Sequence, residues 1–426
     1  MSLITLEFLQ DLLKDEYEDV TITEYEGAPS SKRGDNYTSM VYRITLKGSR
    51  KRSDETGEIF EPWEGSLIYK CLPESILLRE TFKSEELFCN EVAFYKKIWP
   101  AMAKFQSQWN IAHPFKAIPK CFLARNDLVI LKDLKEFGFV MPDRKQGFTI
   151  EQCYYVLKHL SQFHALSLGM KYYDPEGFFD LLNMQDGISE VFFVTENVEY
   201  YKSYYTEAIN NAIYMVEEEL KDSADKDKYL EKLKSFCSEE TFFQEMVDMV
   251  IPKEPLAVIC HGDCWTNNIM FRYVDGDIAE MYMLDFQLVR YASPAIDLAY
   301  LIYLCLDREQ RSEHKASLLE YYIDELHKRL VEMSDGSVPK GKKRDRIAQT
   351  SMLQEEFSRI SRFGLGTALD MYPIMTCDSN EAPNLYQEKE SFIPSHDTAK
   401  PVWTDNEACR KKMTDLVIEL VDEGLL

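Results

Sequence analysis

One segment constrains this chain more than any other: HGDCWTNNIM, at positions 261–270. It directly follows the apolar run LAVIC and holds a histidine, an aspartate and two asparagines. A polar group that is buried without a partner costs about 1–3 kcal/mol. These side chains must therefore satisfy one another in a tight loop, or they must bind something polar and charged.

The composition narrows the class of protein. A net charge of −24 over 426 residues argues against a nucleic-acid or anionic-membrane partner, although a small phosphorylated ligand needs only a local positive site. No apolar run approaches the roughly 18–20 residues that a membrane span needs, and the acidic, amphipathic N-terminus does not read as a secretory signal. The ten cysteines form no CxxC pair, which favours a reducing compartment, and we expect a cytoplasmic protein of undetermined oligomeric state.

The order of predicted elements indicates two lobes. Strand-like patterns cover the first part of the chain, with a charged hairpin connection at 51–65. A helix is predicted from Leu77 to Ile98, with Pro100 as its stop. The rest reads as mostly helical, apart from strand-like pieces at 256–293. We therefore predict a small β-rich lobe and a larger helical lobe, joined near residues 132–138.

Three oxygen-bearing side chains have the chemistry of a phosphoryl transfer site. Asp263 and Asn268 share the polar loop, and Asp285 ends an apolar strand in MLDFQLV. Carboxylate and amide oxygens suit magnesium, and a transfer site also needs a group that orients the attacking hydroxyl. We assign the orienting role to Asp263 and metal binding to Asn268 and Asp285. Taken singly, Asp263 could also be a turn cap and Asp285 a salt-bridge partner.

The spacing HxDxxxxN, followed by DF after a strand, is that of protein-kinase-like enzymes. HGDCWTNNIMF together with LDFQLVRYASPAIDLAY resembles the choline kinase and aminoglycoside phosphotransferase superfamily, and within it the ecdysteroid-kinase-like family. LFCNEVAFYKKIWP and LSQFHALSL match the same family in order. The resemblance implies an α+β, bilobal protein-kinase-like fold, with a small antiparallel β-sheet N-lobe at 1–134 and a large helical C-lobe at 135–426. It also implies a small-molecule kinase that uses ATP and Mg2+.

The resemblance further implies a lysine–glutamate pair that positions the nucleotide phosphates. Lys70 is a lone charge in the apolar strand SLIYKCLP, and Glu91 is its expected partner. We prefer Glu91 to Glu85 and Glu86 because its neighbours mark the buried face of the helix. The alternative is that Lys70 is an edge or solvent-facing residue.

Further contacts to the nucleotide are expected in two places. The loop SSKRGDNYTS has one glycine and so departs from the GxGxxG of protein kinases; its candidate contacts are Gly34, Asn36 and Ser39, and an ordinary hairpin turn is the alternative. The resemblance places the hinge at VILKDLKEFGF, where backbone groups of Asp133 and Leu134 would bind adenine.

Two further polar residues are assigned to the scaffold. The resemblance makes His261 a brace that hydrogen-bonds backbone near the metal-binding turn, and Asp297 a brace of the catalytic loop. Asp297 also stands in the first turn of a predicted helix, where a carboxylate interacts favourably with the helix dipole. His164 is expected to be a satisfied core or interlobe histidine.

The acceptor is the least determined part. Segments 198–215 and 357–375 are rich in Tyr, Phe and Met, which would build the helical core or line an apolar pocket. On the family resemblance we expect a hydrophobic alcohol, most readily an ecdysteroid-like steroid. The alternatives are a polar or xenobiotic alcohol such as choline, or a non-catalytic binding protein with a kinase fold. A metal hydrolase would need clustered histidine ligands, which the sequence around His261 does not offer.

Overall fold

The computed structural model describes residues 4–30, 38–54, 57–109, 111, 113–333, 343–378 and 406–426. The strands among them are β1 (Val20–Pro29), β2 (Met40–Asp54), β3 (Gly57–Cys71), β4 (Cys121–Arg125), β5 (Leu128–Lys132), β6 (Val258–Cys260), β7 (Ile269–Val274), β8 (Asp277–Met283) and β9 (Arg290–Ala292). The architecture is α+β, with a five-stranded antiparallel sheet in the order β1-β2-β3-β5-β4.

Helices make up most of the remaining structure. Those of the described residues are α1 (Leu6–Leu13), α2 (Ile76–Thr81), α3 (Ser84–Ala93), α4 (Trp99–Gln108), α5 (Ile150–Tyr173), α6 (Pro175–Leu182), α7 (Val198–Glu219), α8 (Lys226–Phe236), α9 (Phe242–Val250), α10 (Ala295–Cys305), α11 (Arg308–Met333), α12 (Lys343–Thr376) and α13 (Glu407–Asp422). Within the described part of the chain, no helix is both long and apolar enough to cross a membrane.

The β2–β3 hairpin is longer than its sequence suggests. Pairing runs without interruption from Met40 opposite Cys71 to Asp54 opposite Gly57. The charged connection expected at 51–65 is therefore wrong, because most of it is paired strand. Its charges meet diagonally across the ladder, with 3.1 Å between Arg52 Nε and Glu61 Oε2, because Arg52 lies opposite Ile59 and Glu61 opposite Arg50. Such cross-strand pairs allow a polar sequence to extend as a hairpin.

Strand β5 separates two cores. Leu128 and Ile130 pack in a cluster that includes Leu9 of α1, on one face of the sheet. Val129 and Leu131 belong to the main core, which continues into the helical lobe. Successive side chains of a strand point to opposite faces, so β5 must be apolar throughout to serve both sides.

The predicted helix of residues 77–98 is divided, and Pro100 does not stop it. The chain forms α2 and α3, then a π-helical turn at Phe94–Ile98, and continues as α4. Pro100 lies in the first turn of α4, where its missing N–H costs no helical hydrogen bond. The proline therefore marks the beginning of the next helix.

The helical lobe is organised around α5 and α10. Thr149 and Gln152 form a reciprocal capping box at the beginning of α5. Every residue of α10 is buried, and α12 packs on it through the stacked rings of Tyr303 and Phe357. The short β6–β9 and β7–β8 ladders bring the two polar segments of the sequence together beside this helix.

Candidate active site

The loop after β6 is held by a single carboxylate of α10. Asp297 accepts hydrogen bonds from the backbone N–H groups of His261, at 2.7 Å, and Gly262, at 2.8 Å. Burial would raise the pKa of Asp297, but the hydrogen bonds from His164 and from the backbone of Gly262 hold it below its usual value. Gly262 has φ +82, and a Cβ there would lie 1.9 Å from the carbonyl oxygen of Leu288. Only glycine fits this close approach of two loops.

The ring of His261 joins the same two loops. Its Nδ1 accepts from the backbone N–H of Asp263 at 3.2 Å, so its Nε2 carries the proton and donates to the carbonyl of Leu284 at 2.9 Å. Burial lowers the pKa of His261, which keeps the imidazole neutral. The contacts are those of a brace, with both nitrogens occupied by backbone.

Asp263 has a hydrogen-bond donor on each carboxylate oxygen. Asn268 Nδ2 donates to Oδ2 at 2.7 Å, and the hydroxyl of Tyr300 donates to Oδ1 at 2.6 Å. Burial raises the pKa of Asp263 to about 6; the hydrogen bond from Tyr300 opposes this rise, and the charge of Asp285 adds to it. The carboxylate is thus ionised at neutral pH and is more basic than an exposed aspartate.

Asn268 and Asp285 are brought together by their backbones. The N–H of Leu284 donates to the carbonyl of Asn268 at 2.8 Å, which places the turn of Asp285 beside the loop of Asp263. Asp285 has φ +61, in the left-handed region that non-glycine residues seldom adopt. The next residue, Phe286, stacks on Phe94 with ring centroids 3.7 Å apart and thereby holds the turn.

The donor set fits a hard divalent cation. Since Asn268 uses its amide nitrogen on Asp263, its amide oxygen is the ligand atom that it has to offer a metal. The carboxylate of Asp285 would be the second oxygen ligand of this corner. Amide and carboxylate oxygens suit Mg2+, which completes its shell with water and substrate phosphates.

Lys70 lies opposite this corner. Its Nζ is 2.8 Å from Glu91 Oε2 and 2.8 Å from Asp285 Oδ1. Burial would lower the pKa of Lys70, yet the two carboxylates outweigh burial and raise it, so the ammonium stays charged. Burial also raises the pKa of Glu91, while Lys70 acts in the opposite direction. A charged ammonium in this position could exchange a carboxylate partner for a nucleotide phosphate.

The expected phosphate loop is only partly within the structure. Gly34 and Asn36 lie outside the described residues. Ser39 is buried at the beginning of β2. The neighbouring hydroxyl of Thr38 donates to Gln287 Oε1, two residues beyond Asp285. The end of this loop therefore reaches the turn that contains Asp285.

The hinge is anchored through the side chain of Asp133. Its carboxylate accepts hydrogen bonds from Arg43, from Ser66 Oγ at 2.7 Å and from the N–H of Lys135 at 3.0 Å. Burial would raise the pKa of Asp133, and these donors lower it below the ordinary value. The carbonyl of Leu134 accepts from the backbone N–H of Phe139 at 3.3 Å. Adenine recognition by this backbone stays a prediction.

Sequence reasoning did not single out two residues that contact the site. Tyr300 looks like one more core aromatic of an apolar helix, and only its position three residues after Asp297 could have suggested a shared face. Asn90 precedes Glu91; its Nδ2 donates to the carbonyls of Ser189, at 2.8 Å, and Gln287, at 3.2 Å. It ties α3 to the turn that contains Asp285.

His164 is a satisfied buried histidine, as expected from its place in an apolar helix. Its Nε2 lies 3.0 Å from Asp297 Oδ2, and its Nδ1 lies 2.7 Å from the hydroxyl of Tyr322. Cys260 is also close to this pair. Because His164 and Asp297 already bind each other, this group of side chains supports the loop of Asp263 from the side of α5.

Several solved structures are distantly similar to this chain. The apoenzyme of macrolide 2'-phosphotransferase MphH from Brachybacterium faecium is 12% identical over 85% of this chain and 91% of its own, with a TM-score of 0.33. The GDP complex of aminoglycoside 2'-phosphotransferase-IIIa is 10% identical over 87% and 91%, with a TM-score of 0.38. The ternary complex of APH(2")-IIa with streptomycin and ATP is 14% identical over 84% and 99%, with a TM-score of 0.32.

No curated protein matches the chain significantly. A family model does match: that of the ecdysteroid kinase-like family, over residues 33–334. This range holds both polar segments, the lysine–glutamate pair and the hinge. The chain therefore belongs to the ecdysteroid kinase-like family, and it is a small-molecule phosphotransferase with a hydroxyl acceptor.

Proposed function

We propose that the protein transfers the γ-phosphoryl group of ATP, with Mg2+, to a hydroxyl of a hydrophobic alcohol, most readily an ecdysteroid-like steroid. The observation that supports the binding of a nucleotide and a metal is the position of Lys70, whose Nζ lies 2.8 Å from Glu91 Oε2 and 2.8 Å from Asp285 Oδ1. A phosphoryl transfer site needs a cation for the phosphates, oxygen ligands for the metal and an orienting group for the nucleophile.

The residues divide the work as follows. Lys70, positioned by Glu91, binds the nucleotide phosphates. Asn268 and Asp285 hold Mg2+, which when bound neutralises charge on the phosphates. Asp263 accepts a hydrogen bond from the acceptor hydroxyl and aims its oxygen at the γ-phosphorus. As the new O–P bond forms, the bond to the leaving ADP breaks and the hydroxyl proton passes to Asp263.

The acceptor class rests on family membership, because the aromatic segments are largely structural. Tyr201 and Tyr205 of α7 are buried and contact the ring of Phe243. These rings build the helical core of the lobe. Tyr200 and Tyr204 lie on the neighbouring face of α7, with their rings against those of Tyr201 and Tyr205, and are about half exposed, at 48% and 47%.

A labelled-phosphate screen tests the proposal. The protein is incubated with γ-labelled ATP and Mg2+ against ecdysteroids, sterols, choline and aminoglycosides, with Asp263→Asn as the matched inactive control. We expect label on the steroid hydroxyls, loss of transfer with EDTA and recovery with added Mg2+. Transfer to choline or an aminoglycoside alone would overturn the acceptor class, and no transfer to any compound would indicate a binding protein instead.

A further inference from the structure

The first two turns of α10 present two side chains to the catalytic loop. Asp297 and Tyr300 are three residues apart and so lie on one face of the helix. Asp297 accepts from the backbone of the loop, at His261 and Gly262. Tyr300 donates to the side chain of the next residue, Asp263, at 2.6 Å. The backbone of the loop and the carboxylate of Asp263 are thus both held by side chains of one buried helix, α10.

The donor arrangement around Asp263 determines how its carboxylate is turned. Asn268 occupies one oxygen and Tyr300 the other, so the carboxylate plane cannot rotate without breaking a hydrogen bond. An ionised carboxylate has about four lone-pair sites, and these two donors leave room for an acceptor hydroxyl. The orientation of the Asp263 carboxylate is therefore fixed before an acceptor binds.

Tyr300 acts here as a donor. Its ring is 4% exposed, and burial raises the pKa of its hydroxyl well above the ordinary value, so the phenol stays protonated. A protonated phenol cannot remove the proton of the acceptor, which leaves that task to Asp263.

We propose that Tyr300 is the positioning residue of the phosphotransfer reaction, holding the Asp263 carboxylate in the orientation that receives the acceptor hydroxyl. This inference rests on the proposed function, since it presumes that Asp263 orients the acceptor. It assigns to α10 a direct part in the alignment of the reacting groups, in addition to its place in the core. Such alignment contributes to the rate only while an acceptor is being attacked.

The test is Tyr300→Phe, with Tyr303→Phe as its matched control. Tyr303 lies one turn further along α10, is fully buried and donates to Ser361 Oγ at 3.1 Å, away from Asp263. Each variant loses one buried hydroxyl and keeps its ring. We expect Tyr300→Phe to lower kcat about tenfold while the KM and Kd for Mg-ATP stay unchanged, because only the alignment of the nucleophile is lost. Tyr303→Phe should keep the wild-type kcat.

A double-mutant cycle in unfolding gives a second measurement that needs no turnover. Asp263→Ala, Tyr300→Phe and the double variant are compared with the wild type, and we expect the two changes to be non-additive because they remove the same hydrogen bond. Additive effects would overturn the inference, as would a wild-type kcat for Tyr300→Phe or an equal loss for Tyr303→Phe. A wild-type protein without phosphotransfer would overturn the proposed function and this inference with it, whereas additive effects in a protein that does transfer phosphate would overturn the inference alone.

Discussion

Lys70 of strand β3 and Asp285 of the turn after β8 form an ion pair, with 2.8 Å between Nζ and Oδ1. The N-terminal sheet and this turn are therefore connected by charge. In the proposed function both groups turn to new partners on binding, the lysine to phosphate and the aspartate to metal. Nucleotide affinity should depend on each of them in a separable way.

Lys70→Met should weaken Mg-ATP binding at least tenfold, measured by calorimetry. The substitution removes the phosphate contact and leaves Glu91 and Asp285 as neighbouring carboxylates without their cation. Lys315→Met is the control: Lys315 of α11 is also a mostly buried lysine between two carboxylates, with Nζ 2.9 Å from Glu419 Oε1 and 2.6 Å from Glu423 Oε2. Equal affinities for the two variants would show that Lys70 does not bind the nucleotide.

Asp285→Asn should abolish the magnesium dependence of nucleotide binding. Asparagine tolerates the left-handed backbone at φ +61, so this change removes the charge without adding strain. Calorimetry with and without Mg2+ should give the same weak ATP affinity for the variant and different affinities for the wild type. A magnesium effect of wild-type size in the variant would rule out the ligand role.

Asp263→Asn should lower transfer by about 100- to 10,000-fold and leave Mg-ATP affinity close to that of the wild type. The variant keeps the shape of the side chain and loses its ability to accept the acceptor proton. Steady-state kinetics and calorimetry on the same preparation separate the two effects. A variant that folds normally but no longer binds nucleotide would contradict the assigned role.

The same substitution should stabilise the protein in a pH-dependent way. Burial raises the folded-state pKa of Asp263 from 3.8 to about 6, so the folded state holds its proton more tightly than the unfolded state does. The ionised aspartate therefore costs stability, and this cost appears as the pH rises from about 4 to about 6. Thermal unfolding without metal should show Asp263→Asn melting above the wild type at pH 8, with the gap closing toward pH 4. A gap of constant size across this pH range would mean that ionisation of the buried carboxylate is not its cause.

Gly262→Ala should cost several times more stability than Gly276→Ala. Both glycines have positive φ, +82 and +95, so both variants bear the backbone penalty of about 1 kcal/mol or more. Only at Gly262 would the new Cβ meet another atom, the carbonyl of Leu288 at 1.9 Å; at Gly276 nothing lies within 4 Å. Denaturant unfolding of the two variants isolates the effect of the contact with Leu288. Equal losses of unfolding free energy would mean that the loops of Gly262 and Leu288 can separate without cost.

Asn90→Ala should reduce nucleotide affinity although Asn90 does not contact the cation corner. The substitution removes the donor to the carbonyls of Ser189 and Gln287 and so detaches α3, which carries Glu91, from these two residues. Asn197→Ala is the matched control, because Asn197 is also buried and its Nδ2 donates to two carbonyls, those of Val191 and Phe192. Both variants should be destabilised, but only Asn90→Ala should change the Kd for Mg-ATP.

The sequence predicts those parts of the site whose chemistry demands a particular side chain. Oxygen ligands and an orienting carboxylate leave a recognisable spacing, and the structure brings Asp263 and Asp285 together as that spacing suggests. Tyr300 escapes notice because a phenol in an apolar helix has the same pattern whether its hydroxyl faces core or catalytic loop. Pro100 misleads because proline suits the first turn of a helix as well as the end of one.

Hydrogen bonds tie helix α3 to the helical lobe, and they limit how the sheet and the helical lobe could move apart. Asn90 bonds to Ser189 and Gln287, and Lys97 of the following turn donates to the carbonyl of Asp186 at 2.9 Å. These bonds attach helix α3 to the helical lobe, so any swing between the lobes would have to be borne by the strands. Admission and release of the nucleotide would then stretch and restore the gap between Lys70 and Glu91, which makes that gap the natural place for a distance probe.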